Sequence, residues 1–288
     1  DDFWPFVESM NAAAPLDLRV NTFKAKRDEV RAALAAAGVA AEPTPFSPMG
    51  LRIQGKPALH KLDVFTRGDV EVQDEGSQLL ALMVDAKRGE MVVDFCAGAG
   101  GKTLALGAAM RNTGRLYAFD TSGHRLAALK PRLARSGLSN VYPVQIAHER
   151  DDRIKRLAGK IDRVLVDAPC SGLGTLRRNP DMKWRQTPDA VEELRVKQAA
   201  ILASAARLLK PGGRLVYATC SPLGVENEAI ADAFTEANRA TFRPLAADEV
   251  LVAPHVEGAQ ALVRHGFLRL WPHRHGTDGF FAAVWQRS

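Results

Sequence analysis

The chain has 288 residues, 46% of them hydrophobic, so it can bury a substantial core and is long for one average domain. Its formal net charge of +6 favours an anionic partner. It contains no run of about 18 or more apolar residues and no basic-then-apolar leader, which argues against a membrane span and a secretion signal.

The three cysteines of the chain, Cys96, Cys170 and Cys220, form no C-x-x-C pair. We therefore expect neither a disulfide framework nor a thiolate zinc site. We also expect a reducing, cytoplasmic location. The chain begins Asp-Asp without Met, as a fragment of a longer protein would.

The first 75 residues have the pattern of a small α/β unit. Residues 18–23 alternate like a strand, residues 28–38 form an Ala- and Leu-rich helix that stops at a glycine, and residues 51–53 form a short strand between turns rich in Pro and Gly. Another helix is predicted over residues 77–85, with Ser77 as its N-cap. We therefore predict a small domain at residues 1–75 and a larger domain at residues 76–288.

From residue 90 onward, short apolar runs alternate with helical patterns. Strands are predicted at residues 91–95, 115–119, 140–146, 163–166 and 214–218, and helices at residues 102–110, 124–135 and 189–209. Buried strands that alternate with helices indicate an α/β domain with a parallel sheet covered on both faces. Residues 266–270 and 279–285 are predicted to pair as an antiparallel hairpin at the sheet edge.

A glycine-rich loop follows the first strand of this series and ends in Lys102-Thr103. A Walker A loop would need glycine in place of Cys96, and a dinucleotide-binding loop would need glycine in place of Thr103, so neither phosphate-binding motif fits. A compact glycine turn suits S-adenosylmethionine, which carries no phosphate, and Asp120 at the next strand end can accept bonds from both ribose hydroxyls. Lys102 can balance the cofactor's carboxylate or pair with an acidic neighbour. The predicted cofactor-binding residues of the loop are Cys96, Ala97, Gly98, Ala99, Gly100, Gly101 and Lys102.

Two cysteines lie in loops that follow neighbouring predicted strands, Cys170 in Asp-Ala-Pro-Cys and Cys220 in Thr-Cys-Ser. One buried cysteine is usually inert packing, but two in polar loops at the same sheet edge favour a catalytic pair. A thiolate that adds to C6 of cytosine makes C5 nucleophilic enough to attack a methyl sulfonium. Asp167 is the candidate acid for N3 of the base, and a second thiol near C5, or a water beside it, can assist product release.

These motifs resemble those of the Nop2/Sun (Fmu-like) RNA cytosine-5 methyltransferases of the bacterial rRNA type. Three more segments agree: residues 177–184, Glu226-Asn-Glu228 and Asp278-Gly-Phe-Phe281. The resemblance implies a Rossmann-like class I methyltransferase domain with a mostly parallel seven-stranded sheet, preceded by a small α/β RNA-recognition-like domain. It also implies that Cys220 attacks C6 and that Cys170 helps to release the product. Small-subunit 16S rRNA is the expected substrate and tRNA the second candidate.

Two positions depart from the family pattern. The loop reads Gly98-Ala-Gly-Gly-Lys102 where the family has Ala-Pro-Gly-Gly-Lys, which should loosen the turn without removing the cradle. His148 stands where the family has an Asp that meets the adenine amino group, and Asp151 or Asp152 can substitute. The cofactor-binding prediction therefore also includes His148, together with Asp167.

A basic cluster with one aromatic side chain follows the Asp167 loop and suits phosphate contact combined with base stacking. The predicted RNA-binding residues are Arg177, Arg178, Lys183, Trp184 and Arg185. Arg19, Asn21 and Lys24 of the small domain extend this RNA track. His273 and His275 form an H-x-H without a third ligand, so no metal is expected. We expect a monomer.

Three other classes compete with this interpretation. A DNA cytosine-5 methyltransferase places its nucleophile in the Pro-Cys motif and needs no partner such as Cys220. An amino methyltransferase would carry an N/D-P-P-Y/F tetrapeptide in place of Asp167-Ala-Pro-Cys170. A non-catalytic ribosome assembly factor on the same fold would have no need of both cysteines, and a cofactor-binding titration distinguishes it.

Overall fold

The computed structural model describes residues 2–288, which form two sheets, each with its own helices. The elements of the small domain are α1 (Phe3–Asn11), β1 (Leu16–Val20), α2 (Arg27–Ala36), β2 (Ala41–Pro43), β3 (Gly50–Ile53), α3 (Asp63–Thr66) and β4 (Val70–Val72). Its strands form an antiparallel sheet in the order β2-β3-β1-β4, and α2 packs on this sheet through Val30 and Leu34. The two strands and the helix predicted in this region are present, with their ends shifted by a few residues.

The first helix of the large domain, α4 (Glu75–Val84), begins before the predicted Ser77. Its N-cap is Asp74, whose carboxylate accepts the backbone N–H of Gly76 at 2.8 Å. The prediction of Ser77 as the cap was therefore wrong, and the Ser77 hydroxyl instead accepts a hydrogen bond from Gln73. Helix α4 packs in the large core, whereas β4 belongs to the small sheet. The chain therefore passes from the small domain to the large one between Val72 and Glu75.

The large domain continues as alternating strands and helices. Its elements after α4 are β5 (Met91–Asp94), α5 (Gly101–Ala109), β6 (Arg115–Asp120), α6 (Gly123–Ser136), β7 (Val141–Gln145), α7 (Asp152–Lys155), β8 (Ile161–Asp167), α8 (Pro188–Ala206), β9 (Leu209–Thr219), α9 (Glu228–Asn238), β10 (Phe242–Leu245), α10 (Ala247–Val252), β11 (Val263–Arg264), β12 (Phe267–Leu270), α11 (Pro272–His275) and β13 (Phe280–Arg287). Short 3₁₀ turns occur at Leu59–Lys61, Leu173–Thr175, Pro180–Trp184 and Ala259–Leu262.

Five parallel strands form the centre of the large sheet, in the order β7-β6-β5-β8-β9. Strand β13 then pairs antiparallel with β9, and β12 pairs antiparallel with β13, which confirms the predicted hairpin. These seven strands give the Rossmann-like methyltransferase fold that the resemblance implies. Strands β10 and β11 add to the antiparallel edge, so the sheet has nine strands and the expected count of seven is corrected.

The central strands are buried on both faces because helices cover each side. Val92 packs in the core beneath α4, α5 and α10, whereas its neighbour Val93 packs in the core beneath α8 and α9. Successive side chains of a strand point to opposite faces, so an apolar run is what a doubly covered strand requires. Across residues 2–288, no helix combines the length and the apolar character that a membrane-spanning segment requires.

Buried polar contacts fix the small domain against α6. Glu71 of β4 is buried and forms ion pairs with Arg132, at 3.1 Å, and with Arg135. The side-chain amide of Asn21 donates to the carbonyl oxygen of Ser136 at 3.0 Å, and buried Arg19 donates to Gln73. The prediction that Arg19 and Asn21 extend an RNA track is therefore corrected, because both side chains are buried at the domain junction.

Candidate active site

The loops that follow the parallel strands meet at one edge of the large sheet and enclose a cavity of about 1000 Å³. This is where open α/β sheets bind ligands, since the strand order reverses there. The cavity wall includes most of the predicted site residues: Cys96, Ala97, Gly98, Ala99, Gly101, Lys102, Asp120, His148, Asp167, Cys170, Arg178 and Cys220. Gly100, Arg177, Lys183, Trp184 and Arg185 do not line it.

The glycine turn begins α5 and exposes its backbone to the cavity. Gly98 and Gly100 both have positive φ, at 57° and 83°, where a side chain would be strained. A Cβ on Gly100 would lie 2.2 Å from Leu129, whereas a Cβ on Gly98 would meet nothing within 4 Å. Gly100 is thus required by packing, and Gly98 leaves open space on the ligand side. The cradle is intact despite the loss of the family's proline.

Asp120 ends β6 with a buried carboxylate at the cavity wall. Its two oxygens accept backbone N–H groups from Gly98, at 2.8 Å, and from Ser122, at 2.7 Å. A carboxylate offers about four acceptor positions, so two remain for donors in the cavity. A fixed carboxylate beside an open glycine turn fits the ribose of an adenosine-type cofactor.

Of the three residues considered for the contact with adenine, His148, Asp151 and Asp152, only His148 lines the cavity. Asp151 accepts the N–H groups of Ala147 and Arg153, both at 2.9 Å, and these bonds lower its pKa. Asp152 is paired with Lys155 in solvent. Neither aspartate lines the cavity, whereas His148 does, so the proposed replacements of the adenine-contacting Asp are corrected and His148 remains the candidate.

The two predicted catalytic cysteines lie side by side. Strands β8 and β9 pair in parallel with Asp167 opposite Ala218, so the loops after them leave the sheet together. The Sγ atoms of Cys170 and Cys220 are 3.5 Å apart, and both residues are half-buried. The hydrogen bond with Cys220, and then burial, raise the pKa of the Cys170 thiol well above its usual value. Cys170 is therefore a neutral thiol near pH 7.

Lys102 pairs with Asp167, which is one of the two roles that the sequence leaves open for this lysine. The ammonium Nζ lies 2.7 Å from Oδ2 of Asp167, and only 11% of the lysine side chain is exposed. Burial alone would lower the pKa of Lys102, but the charge of Asp167 and the hydrogen bond to it raise that pKa overall. The cavity thus holds a charged pair beside the two thiols.

A second carboxyl group beneath the glycine turn was not predicted as functional. Asp94 is buried at the end of β5, where its Oδ2 accepts the Thr103 hydroxyl at 2.7 Å and its Oδ1 has no partner among residues 2–288. Burial raises the pKa of Asp94 to about 7, with a further contribution from Asp167. The fold therefore holds an aspartic acid that ionises near neutral pH.

Replacing Asp94 with Asn should flatten the dependence of stability on pH. Between its ordinary pKa and about 7, the folded chain holds a proton on Asp94 that the unfolded chain has released, so stability falls as pH rises through this window. From about pH 5.5 to about pH 8, wild type should lose about 2 kcal/mol relative to Asp94→Asn. Urea unfolding at several pH values measures this difference. Parallel curves for the two proteins would show that Asp94 ionises normally.

Two of the five predicted RNA-binding residues are engaged inside the protein. The Arg177 side chain is 5% exposed and donates to Asp278 at 2.6 Å. Arg178 pairs with the same carboxylate and with Asp74 at 2.9 Å. These ion pairs fix the loop to the cap of α4 and to the segment before β13. The prediction of an RNA contact is therefore wrong for Arg177, whose guanidinium is buried. Arg178 lines the cavity, but its guanidinium already pairs with two carboxylates.

The remaining three residues of the cluster are exposed beside the cavity mouth. Trp184 is 80% exposed, and the Lys183 ammonium lies 5.1 Å from the centre of its ring. Arg185 pairs with Asp181 in solvent. Met182 of the same turn lines the cavity, which places the exposed tryptophan next to the entrance. This geometry leaves Lys183, Trp184 and Arg185 available to a ligand that extends out of the cavity.

Family models match both domains of the chain. The model described as 16S rRNA methyltransferase RsmB/F matches residues 81–286. A second model, described as the ferredoxin-like domain of RsmF/B-like methyltransferases, matches residues 2–60. Proteins of this family are class I methyltransferases that use S-adenosylmethionine.

Individual relatives agree with the family models. "Probable ribosomal RNA small subunit methyltransferase B" of Synechocystis sp. is 37% identical over 274 residues, which are 95% of this chain and 60% of that protein. Ribosomal RNA small subunit methyltransferase B of Salmonella arizonae is 35% identical over 96% of this chain and 61% of its own length. The chain thus spans about three fifths of the relatives that it matches.

A solved structure shows the same arrangement of both domains. The crystal structure of a methyltransferase homolog from Pyrococcus horikoshii is 29% identical and superposes with a TM-score of 0.83, covering 100% of this chain and 91% of that one. The small ferredoxin-like domain and the Rossmann-like domain therefore occur together in a related protein. The chain belongs to the RsmB/F family of 16S rRNA methyltransferases.

Proposed function

We propose that this chain carries the catalytic site of an RNA cytosine-5 methyltransferase that acts on small-subunit rRNA. One observation carries the proposal: two thiols lie 3.5 Å apart in a cavity that also holds an ion-paired aspartate. Activation of cytosine requires a nucleophile at C6 and a proton-bearing group at N3, and these residues supply both. The names of the relatives support rRNA as the substrate.

The cofactor would be held by the glycine turn and Asp120. The backbone of Gly98 faces open space, and the Asp120 carboxylate has free acceptor positions at the cavity wall. When bound, S-adenosylmethionine supplies an electrophilic methyl group. The role of this part of the chain is to bind and orient that group.

Cys220 acts as the nucleophile in this mechanism. Its thiolate forms a bond to C6 of cytosine, and the electron pair of the C5–C6 double bond moves into the base. The charge that develops toward N3 meets the Lys102–Asp167 ion pair, whose two charged groups lie 2.7 Å apart and whose ammonium carries a proton for N3. Cys170 stays protonated because its pKa is raised, so it does not compete as the nucleophile.

Product release requires loss of the C5 proton and of Cys220. The Cys170 sulfur lies 3.5 Å from the attacking sulfur, and C5 is bonded to C6, so Cys170 is placed beside C5 in the adduct. A water held by the Cys170 thiol receives the C5 proton while the C6–sulfur bond breaks, the ring double bond re-forms and the Cys220 thiolate leaves. Each cysteine therefore controls a different half of the reaction.

RNA would reach the cavity across Lys183, Trp184 and Arg185. Stacking of a base on an aromatic side chain contributes about 1–3 kcal/mol, so Trp184→Ala should weaken RNA binding by about tenfold while leaving cofactor affinity unchanged. Fluorescence anisotropy with a labelled rRNA fragment measures the change. Trp4→Ala is the matched control, since Trp4 is 68% exposed on α1 and does not line the cavity. Equal losses in both variants would remove Trp184 from the RNA site.

The proposal is tested by release of tritium from RNA labelled at C5 of cytosine. We expect release that requires both S-adenosylmethionine and Cys220, because C5 methylation must expel the C5 hydrogen. Methyl transfer without tritium release would place the methyl group on another atom. A calorimetric titration that detects no S-adenosylmethionine binding would favour the non-catalytic assembly factor.

A further inference from the structure

A buried carboxylate lies between the two cysteine loops and has no part in the mechanism above. Glu226 is 0% exposed. Its Oε1 accepts the backbone N–H of Ser171 at 2.8 Å and the side-chain amide of Gln198 at 2.9 Å. Its Oε2 accepts the hydroxyls of Ser171, at 2.6 Å, and of Ser221. All four acceptor positions of the carboxylate are therefore filled.

The donors to this carboxylate are the residues that adjoin the cysteines. Ser171 directly follows Cys170, and Ser221 directly follows Cys220. One carboxylate oxygen thus holds both loops at the position next to each thiol. This arrangement joins two segments that are fifty residues apart in the sequence.

Further bonds from the same network fix the peptide on either side. Gln198 uses its amide to reach both Glu226 and the carbonyl oxygen of Pro169, each at 2.9 Å. Asn227, which follows Glu226, donates to the carbonyl oxygen of Ser221 at 2.8 Å. Tyr217 donates its hydroxyl to the backbone oxygen of Glu226 at 2.6 Å. The carboxylate is therefore itself held in place from the strand below.

Such a network has one well-satisfied arrangement. A buried carboxylate that loses a donor has no water to replace it, so partial arrangements are unfavourable. The two loops consequently move together or remain in place together. Cys170 and Cys220 have no covalent link, and their separation depends on how these loops are held.

We propose that Glu226 is a positioning residue that holds the two cysteine loops in one arrangement, so that the Sγ atoms of Cys170 and Cys220 stay 3.5 Å apart. Its catalytic consequence rests on the function proposed above. Addition to C6 needs Cys220 alone, whereas release needs Cys170 close to the adduct. Loss of Glu226 therefore slows release more than it slows addition.

The first test measures the distance between the thiols without any reaction on RNA. The full chain is equilibrated with reduced and oxidised glutathione, which takes two electrons from the pair, and the Cys170–Cys220 disulfide is quantified by peptide mass spectrometry. This equilibrium gives the effective concentration of one thiol at the other. Glu226→Ala should lower that effective concentration by about tenfold. Glu226→Gln should keep most of it, because the amide oxygen accepts the two N–H groups while its NH₂ donates to the two hydroxyls.

Glu228→Ala is the matched control, since Glu228 belongs to the same Glu-Asn-Glu segment but pairs with Arg269 at 3.4 Å. It should leave the effective concentration unchanged. An unchanged value in Glu226→Ala, or an equal fall in Glu228→Ala, would overturn the positioning role. If Glu226→Ala does not fold, Ser221→Ala takes its place, because it removes one hydroxyl donor and should give a smaller fall in the same direction.

The second test follows the reaction with RNA. In Glu226→Ala, the fraction of enzyme in a denaturation-resistant RNA adduct should rise severalfold, while kcat and KM for RNA fall together so that kcat/KM stays within about twofold. A fall in kcat with no rise in adduct would overturn the separation of the two steps. If wild type and every variant lack an adduct while the glutathione result holds, the positioning role stands and the proposed covalent mechanism fails.

Discussion

Cys220→Ala is expected to abolish methylation, with a loss on the order of 10⁴-fold or more, and to form no covalent complex with RNA. The reason is that C5 of cytosine becomes nucleophilic only after a thiolate has added to C6. We do not expect Cys170 to take over, because burial still raises the pKa of its thiol after the hydrogen bond with Cys220 is lost. Denaturing electrophoresis of a reaction with radiolabelled rRNA detects the adduct, and scintillation counting of the RNA detects the methyl group.

Cys170→Ala should give the opposite result in the same gel. Addition to C6 proceeds, but the group 3.5 Å away that assists release is missing, so the adduct accumulates while turnover stops. Cys96→Ala is the control for the third cysteine and should still form an adduct, since Cys96 belongs to the cofactor turn. An adduct in Cys220→Ala and none in Cys170→Ala would mean that the two roles are exchanged.

Asp167→Asn should lower kcat by about 10²- to 10⁴-fold, the range that a lost acid or base catalyst costs. An amide cannot form the ion pair with Lys102 or carry a proton to the base, so the charge that develops toward N3 is no longer met. Affinity for S-adenosylmethionine should change much less, because Asp120 and the glycine turn are intact. Single-turnover kinetics at saturating cofactor separates the two effects, and a change confined to KM would contradict this role.

The effect of Asp167→Asn should not add to that of Lys102→Met. The two side chains form an ion pair at 2.7 Å, and removing either one breaks that pair. The double variant should therefore be about as slow as the slower single variant. Additive losses would show that Lys102 and Asp167 act on different steps.

The sequence was informative where structure depends on local pattern. Strands β5, β6 and β8 were predicted closely because each is a short apolar run between turns, and doubly covered strands require such runs. Helix α4 was given the wrong start because both Asp74 and Ser77 can cap a helix. In the structure, Gln73 donates to the Ser77 hydroxyl and Asp74 caps the helix, a choice that the residue types alone do not distinguish.

The site was predictable to the extent that chemistry lies in short motifs. The loops with Cys170 and Cys220 were placed together because both follow parallel strands, and their sulfur atoms do meet. Arg177 was misjudged since its partner, Asp278, lies far along the chain. Glu226 was noted only as part of a family motif for the same reason. A run of basic residues, or a single acidic residue, does not reveal which residues from distant parts of the sequence will contact it in the folded chain.

The proposed function requires that the methyl group goes to C5 of a cytosine in RNA. Mass spectrometry of the nucleosides from 16S rRNA incubated with the protein and methyl-labelled S-adenosylmethionine measures this directly. We expect the label to appear in 5-methylcytidine and Cys220→Ala to remove it. Label in N4-methylcytidine, in a ribose-methylated nucleoside or in 5-methylcytidine formed equally by Cys220→Ala would contradict it.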